Sequence, residues 1–198
     1  MVVIGLTGSL ATGKSSVAAM FKRCGAVVLS ADDIVHRHLN RRGVVFKKVI
    51  KLLGKKIINK GGIDRKKIAQ IVFTDAHKLR ALEKVLHPIV QEDMARVLKK
   101  MEHTKKMVVL DVPLLFESGI NRLTDVNIVV KATPPIQIKR AVKRLHITKA
   151  EALGRIRLQM PLKEKIRLAD IIIDNSRTLQ KTKEQVEKIC QKISRMKK

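Results

Sequence analysis

The sequence predicts an α/β fold in which a parallel five-stranded sheet is flanked by helices. Two observations lead to this fold class. Short apolar runs rich in β-branched residues alternate with longer amphipathic patterns, and the first apolar run stops at a glycine-rich turn that opens a helix. The length of 198 residues allows one such domain with insertions, but not two large independent domains.

Five apolar runs are predicted to form the strands, because each is short and is bounded by turn or helix-start residues. In chain order they are residues 2–6, 26–29, 107–110, 126–130 and 171–173. The first run is typical of a buried parallel strand, and the alternation of strands with helices predicts a parallel sheet.

Helices are predicted between the strands, from about Lys14 to Gly25, from the N-cap residues 30–33 onward, and over residues 134–144. Residues 41–106 form a helical insertion with patterns at 44–53, 66–73 and 75–101, a glycine turn at 60–62 and an interruption at Pro88. In the last helix, apolar residues seven apart (Leu179, Val186, Ile193) predict one stripe that packs on the body.

The composition excludes several classes of protein. No apolar run reaches the roughly 18 residues of a membrane span, and the N-terminus lacks the basic region of a signal peptide, so a cytoplasmic protein without membrane contact is expected. Two distant cysteines exclude a disulfide framework or a zinc site as the scaffold.

The net charge of +26 indicates an affinity for polyanions, including nucleotide phosphates and nucleic acid. The chain has no Trp, no Tyr and only four Phe, whereas proteins that bind single-stranded nucleic acid usually stack bases on aromatic side chains. The charge therefore leaves the partner open.

The most specific motif fits G-x-x-x-x-G-K-[ST] and lies between a predicted strand and a predicted helix. It comprises Gly8, Ser9, Leu10, Ala11, Thr12, Gly13, Lys14 and Ser15, with Ser16 following in the helix. Backbone N–H groups of such a loop converge on phosphate oxygens, the lysine reaches the β- and γ-phosphates, and the serine hydroxyl binds Mg²⁺. A ligand-free strand-to-helix turn is the alternative, and binding of ATP or GTP is the prediction.

Asp111 ends a hydrophobic strand, where a carboxylate can hold the same metal ion. The alternative for this residue is a strand-end aspartate that caps the next turn. Base-recognition signatures of the N-K-x-D kind, typical of GTPases, are absent. A helical insertion after the second strand and a small basic lid late in the chain are instead typical of P-loop NTPase folds of the nucleoside-monophosphate-kinase type, in which the insertion holds the acceptor and the lid excludes water.

Along nearly its whole length the sequence resembles the dephospho-CoA kinase family. The resemblance rests on the phosphate loop, on Ala31-Asp32, and on segments 62–65, 72–73, 87–89, 109–117, 155–159 and 169–175. It implies Mg-ATP-dependent transfer of the γ-phosphoryl group to the ribose 3′-hydroxyl of dephospho-CoA. It also implies a nucleotide-binding core of residues 1–31, 105–144 and 168–198, an acceptor domain of residues 32–104 and a lid of residues 145–167.

The same resemblance implies three catalytic side chains besides Lys14. Asp32 would act as the general base or orienting carboxylate, although an aspartate that opens a helix is about as often an N-cap. Arg140 and Arg144 are four residues apart on one helix face and would stabilise the phosphates during transfer. A solvated basic face is the alternative for these two arginines.

Further residues are implied to bind substrate or nucleotide. The acceptor would contact Thr7, Asp32, Arg65, His87, Pro113, Leu114 and Glu117. On their own, His87 resembles an ordinary helix-end histidine before proline, and Glu117 an exposed loop carboxylate. Asn175 would border adenine, at the carboxyl end of a strand.

The sequence departs from the family pattern at Ser30, where the family usually has the first aspartate of D-A-D. The adjacent Asp33 leaves open which carboxylate faces the hydroxyl group, and Ser9 and Ala11 replace loop glycines. Two rival functions are another small-molecule kinase, such as a nucleoside kinase, and a basic nucleic-acid-binding P-loop protein. We expect a small-molecule enzyme that is a monomer or weak homo-oligomer and has no obligatory nucleic-acid partner.

Overall fold

The computed structural model describes residues 1–40, 42–59 and 62–195. The glycine turn predicted at 60–62 therefore lies partly outside the described residues. Contacts divide the chain into two compact units, Met1–Ser30 with Leu98–Lys198, and Ala31–Val97.

The five predicted strands and the helices between them occur in the predicted order. In chain order the elements are β1 (Val2–Gly8), α1 (Lys14–Arg23), β2 (Val27–Ser30), α2 (Ala31–Asn40), α3 (Val44–Leu53), β3 (Ile58–Asn59), β4 (Gly62–Ile63), α4 (Arg65–Val72), α5 (Ala76–Met101), β5 (Met107–Asp111), β6 (Val126–Lys131), α6 (Pro134–Leu145), α7 (Lys149–Arg157), α8 (Leu162–Arg167), β7 (Ile171–Asp174) and α9 (Leu179–Arg195). The five predicted strands correspond to β1, β2, β5, β6 and β7, and each begins and ends within two residues of its predicted bounds.

The first unit is built on a five-stranded sheet in the order β2-β5-β1-β6-β7. All four neighbouring pairs are parallel. Because every connection between parallel strands must cross over the sheet, helices lie against it, as the sequence predicts. The fold class is confirmed.

The core of this unit lies where α1 and α9 pack on the sheet. Val17 and Phe21 of α1 are fully buried beside Ile4, Leu6 and strand residues of β5 and β6. The stripe predicted for the last helix is confirmed at its two later positions, which join this core. Leu179 is wrong as a stripe residue: it is 65 % exposed, because it is the first residue of α9 and precedes the part of the helix that reaches the core.

The second unit has an apolar core of its own. In α3 the residues Val45, Val49 and Leu53 follow a four-residue spacing and are all buried, so one helix face points inward. They cluster with residues of α2, α4 and α5 and with the short antiparallel β3–β4 pair. The sequence did not predict that pair, because strands of two residues carry no periodicity.

The interruption predicted at Pro88 is wrong. Helix α5 runs without a break from Ala76 to Met101, with Pro88 inside it. A proline removes one helical hydrogen bond and crowds the preceding turn, but packing can offset that cost. Buried apolar residues on both sides, Leu82 before it and Val90 and Met94 after it, provide that packing.

The described helices include none that is long and apolar enough to cross a membrane. Both cysteines are free thiols, Cys24 exposed and Cys190 buried. Burial and the neighbouring Cys24 thiol raise the pKa of Cys190 to about 12, which leaves it protonated and unreactive at neutral pH.

Candidate nucleotide-binding site

The site lies at the carboxyl edge of the first unit's sheet. Strand β1 occupies the centre, and the chain crosses to one side of it through β2 and β5 and to the other through β6 and β7. In open parallel sheets, ligands bind beside the strand at which the connections change direction. The phosphate loop follows β1 and therefore occupies this position.

The phosphate loop is closed by its own hydrogen bonds. Thr12 is fully buried, and both its hydroxyl (3.0 Å) and its backbone N–H (3.3 Å) donate to the carbonyl oxygen of Ser9. Gly13 then precedes α1 with a left-handed φ of +92°. This turn leaves the first N–H groups of α1 without partners inside the helix, which is the arrangement that binds phosphate oxygens.

Ala11 is the second residue of the loop with a left-handed backbone, at a φ of +58°. An L-residue with a Cβ pays roughly 1 kcal/mol for this conformation, and glycine does not. Position 11 is one of the two loop positions at which this chain replaces a glycine common in the family. The structure gives the physical reason for that preference.

We therefore expect Ala11→Gly to leave the free energy of unfolding unchanged or to raise it, by up to about 1 kcal/mol, since relief of strain outweighs the added freedom of the unfolded chain. Urea unfolding measures the change. Ala19→Gly is the matched control, because Ala19 is exposed in the middle of α1 and its replacement should cost about 1 kcal/mol. Equal losses in the two variants would contradict the strain at Ala11.

Asn175 supports the loop from the other side. Its side-chain amide donates to the Thr12 carbonyl oxygen (2.8 Å) and accepts from the Thr182 hydroxyl of α9 (2.8 Å), and it is 5 % exposed. A Cβ built on Gly13 would lie 2.0 Å from the Asn175 amide nitrogen. Glycine is thus required at position 13 both by the backbone angle and by this contact.

The Lys14 ammonium forms an ion pair with the Asp111 carboxylate, and both side chains are 11 % exposed. Asp111 ends β5, and its register partner on β2 is Ser30, the residue that departs from the family pattern. The predicted cation and the predicted metal ligand are therefore adjacent.

The residues present fit a magnesium ion held mainly by nucleotide phosphates. The Ser15 hydroxyl is exposed at the start of α1, and Asp111 provides a carboxylate, so both donors are the oxygen atoms that Mg²⁺ prefers. Among the described residues no cluster of three or more His, Cys, Asp or Glu could hold a metal by itself. A site with one or two protein ligands matches the way Mg²⁺ binds with phosphates.

A cleft of about 590 Å³ opens beside the loop, lined by Ala11, Gly13, Ser16, Arg140, Lys143, Arg144, His146, Asn175, Arg177 and Leu179. Arg140 and Arg144 both come from α6, as the four-residue spacing predicts. The Nη1 atom of Arg140 is buried and forms no hydrogen bond with any described residue. It would lie 3.8 Å from a Cβ built on Gly13, so a cationic donor without a partner adjoins the phosphate loop.

Four of the residues predicted to contact the acceptor belong to the same unit. Thr7 is fully buried and its hydroxyl donates to the Pro113 carbonyl oxygen (3.0 Å). Leu114 is partly exposed. Glu117 binds within the unit, to Met160 and Lys165.

The other predicted acceptor residues lie in the second unit. Asp32 and Asp33 are exposed in the first turn of α2, where their charges also suit the helix dipole. Arg65 is the first residue of α4 and is exposed, and His87 lies within α5.

Sequence reasoning missed Lys165, which is fully buried in α8, and the contact of Gln159 with the phosphate loop. A chain with 43 lysines and arginines offers no local signal that singles out one buried lysine. Only its tertiary contacts identify it.

Known proteins resemble this chain in both sequence and fold. The sequence model of the dephospho-CoA kinase family matches residues 2–181. A dephospho-CoA kinase of Bacillus cereus is 41% identical over 191 residues, covering 95% of each chain. The solved structure of a dephospho-CoA kinase from Campylobacter jejuni is 27% identical, with a TM-score of 0.72 over 99% of this chain and 98% of that one. A shikimate kinase from Bacteroides thetaiotaomicron, 12% identical with a TM-score of 0.54 over 97% and 98%, shares the fold.

Proposed function

Since this chain belongs to the dephospho-CoA kinase family, we propose that its phosphate loop binds ATP for transfer of the γ-phosphoryl group to the ribose 3′-hydroxyl of dephospho-CoA. The chain is an ATP-dependent kinase of coenzyme A biosynthesis. The observation that carries the proposal is the pair of cations at the loop, Lys14 and Arg140, whose buried Nη1 has no hydrogen-bond partner among the described residues.

Nucleotide phosphates would form ion pairs with both cations. The loop N–H groups and the amino end of α1 bind the phosphate oxygens, and the Lys14 ammonium turns from Asp111 to the β- and γ-phosphates. Arg140, with Arg144 on the next turn of α6, faces the same phosphates across the cleft. These charges stabilise the negative charge that redistributes as the phosphoryl group leaves ADP.

Mg²⁺ would be held by the Ser15 hydroxyl and the Asp111 carboxylate, directly or through water. When bound, the ion neutralises charge on the phosphate oxygens. One carboxylate oxygen of Asp111 pairs with the Lys14 ammonium, so a Lys14 that pairs with the phosphates would leave both Asp111 oxygens available to the ion. Lys14 and Asp111 would thus both bind Mg-ATP, Lys14 through the phosphates and Asp111 through the ion.

Asp32 would orient the 3′-hydroxyl group and accept its proton. Asp32 lies two residues after Ser30, the last residue of β2. Ser30 pairs in register with Asp111. In a loose phosphoryl-transfer transition state, proton removal comes late, so orientation of the hydroxyl contributes more than basicity. Asp33 is the competing carboxylate on the same helical turn.

Two residues of the second unit, Arg65 and His87, would also bind the acceptor. Arg65 suits the phosphates of the acceptor because its guanidinium donates two parallel hydrogen bonds. Leu114 would form an apolar wall, and Thr7 would act on it indirectly through the Pro113 carbonyl oxygen. We place the reaction in the cytoplasm and expect a monomer or weak homo-oligomer.

The decisive experiment measures ADP release from Mg-ATP with dephospho-CoA, and separately with pantetheine, adenosine and AMP. Turnover is expected with dephospho-CoA alone. Asp32→Asn should lower kcat about 100-fold with ATP affinity retained, since the carboxylate acts on the acceptor. Asp33→Asn is the matched control, with the same charge change one residue away, and should keep kcat within about threefold of the parent, as an exposed surface change does.

Two outcomes would reject these assignments. If Asp33→Asn loses kcat and Asp32→Asn keeps it, Asp33 and not Asp32 orients the hydroxyl group and accepts its proton. No turnover with dephospho-CoA, together with ATP hydrolysis stimulated by DNA or RNA, would reject the kinase and favour a nucleic-acid protein.

A further inference from the structure

Lys165 of α8 is the only lysine or arginine among the fully buried side chains of the described residues. Its ammonium donates to the Pro113 carbonyl oxygen (2.7 Å) and pairs with the Glu117 carboxylate (2.9 Å). Both partners lie in the segment that follows β5 and Asp111. A residue of the predicted lid is therefore fixed to the segment after the strand that carries the metal-ligand carboxylate.

Glu117 binds a second part of the lid, the backbone at Met160, in addition to Lys165. The carboxylate oxygen that pairs with Lys165 also accepts the Met160 backbone N–H (3.0 Å). Its other oxygen is buried without a partner among the described residues. Glu117 therefore holds the α7–α8 connection, residues 158–161, as well as α8 itself.

This connection also contacts the phosphate loop. Gln159, the neighbour of Met160, accepts hydrogen bonds with its side-chain oxygen from the Leu10 backbone N–H (3.1 Å) and the Ser9 hydroxyl (3.4 Å). At the other end, the Pro113 carbonyl oxygen that binds Lys165 also binds the Thr7 hydroxyl. A continuous series of contacts thus runs from the phosphate loop through the lid and back to β1.

The buried pair is costly, which argues for a role beyond stability. Burial lowers the pKa of Lys165, the hydrogen bond and the charge of Glu117 oppose this, and the nearby positive charge of Lys14 adds to it. Replacing a buried ion pair by apolar residues of similar size is often neutral or stabilising. An apolar side chain at position 165 could pack there, but it could not hold Pro113 and Glu117 at defined positions.

We propose that Lys165 is a positioning residue, which fixes the lid so that Gln159 stays against the phosphate loop while phosphoryl transfer takes place. The inference rests on the proposed function. It assigns Glu117 to holding the lid, with Lys165 as its partner. Because Lys165 acts through Glu117 and Pro113, its loss should lower kcat more than nucleotide affinity.

The test compares Lys165→Met, Glu117→Gln and the double variant with the parent. Lys165→Met should lower kcat on the order of 30-fold, because small misplacements at a reacting centre are costly, while the Kd of ATP changes less than about threefold. Amide hydrogen exchange of the peptide containing Met160 should become faster. The double variant should lose no more activity than the more impaired single variant, since both side chains act in one contact network.

The matched control is the exposed pair on the same helix, Arg167→Met with Glu164→Gln, whose side chains are 64 % and 46 % exposed. These changes should leave kcat and Met160 exchange at parent values. Parent-like kcat in Lys165→Met would overturn the inference. So would equal losses of kcat and ATP affinity with a lowered Tm, which indicate a merely structural role.

The exchange measurement separates this inference from the proposed function. If the parent does not phosphorylate dephospho-CoA, the proposed function fails. Unchanged Met160 exchange in Lys165→Met then overturns the positioning role independently, and faster exchange supports it. Should Lys165→Met not fold, Glu117→Gln, which keeps the shape of the side chain, gives the same comparison.

Discussion

Replacing Gly13 by alanine is expected to reduce ATP affinity at least about 1000-fold, which corresponds to about 4 kcal/mol. The added Cβ would lie 2.0 Å from the Asn175 amide nitrogen, far closer than any real contact, and Asn175 is itself held by Thr12 and Thr182. The φ of +92° adds backbone strain for any residue with a Cβ. The loop must move to relieve both effects, and its N–H groups then no longer converge on the phosphates.

Two other glycines separate the effect of the positive φ from the effect of the steric contact. Gly25 has a φ of +86° but open space around an added Cβ, and Gly154, in α7, has neither a positive φ nor a near neighbour. Gly25→Ala should therefore cost about 1 kcal/mol of stability, and Gly154→Ala should be neutral or stabilising by up to about 1 kcal/mol. Both should keep ATP affinity. Calorimetric titration with ATP and thermal unfolding measure the two quantities, and ATP binding by Gly13→Ala within tenfold of the parent would contradict the steric argument.

Lys14→Met is expected to lower kcat on the order of 1000-fold, because methionine keeps the length of the side chain but removes the charge that meets the transferring phosphate. ATP affinity should fall less, since the loop N–H groups and Arg140 remain. Asp111 also loses its partner in this variant. Steady-state kinetics with dephospho-CoA and direct ATP titration give the two effects separately.

Lys22→Met is the matched control for Lys14→Met. Lys22 is exposed in the last turn of the same helix, so the net charge changes equally while the site stays intact. Its kcat should stay within about twofold of the parent, as expected for a surface change. Similar losses in both variants would indicate that the net charge of the protein, and not the position of Lys14, governs activity.

The strands and the phosphate loop could be predicted because short apolar runs and the spacing of the loop residues can be recognised within a few neighbouring residues. Strand β5 is apolar over its first four residues and ends at Asp111, and the spacing of Gly8, Gly13 and Lys14 fixes a loop whatever surrounds it. The continuity of α5 through Pro88 could not be predicted in the same way. It depends on apolar packing before and after the proline.

From the sequence alone came the chain order of the five strands of the parallel sheet, the phosphate loop and the resemblance that the family match confirms. The tertiary structure alone decided which partner each polar side chain has. Glu117 binds Lys165 and Met160, and Asn175 holds the Thr12 carbonyl oxygen, while the contacts of Glu117 with the acceptor and of Asn175 with adenine stay predictions. These partners are 43 to 163 residues apart in the chain, and only folding brings such distant groups together. Periodicity describes which face of an element is apolar, but it carries no information on which distant donor meets which acceptor.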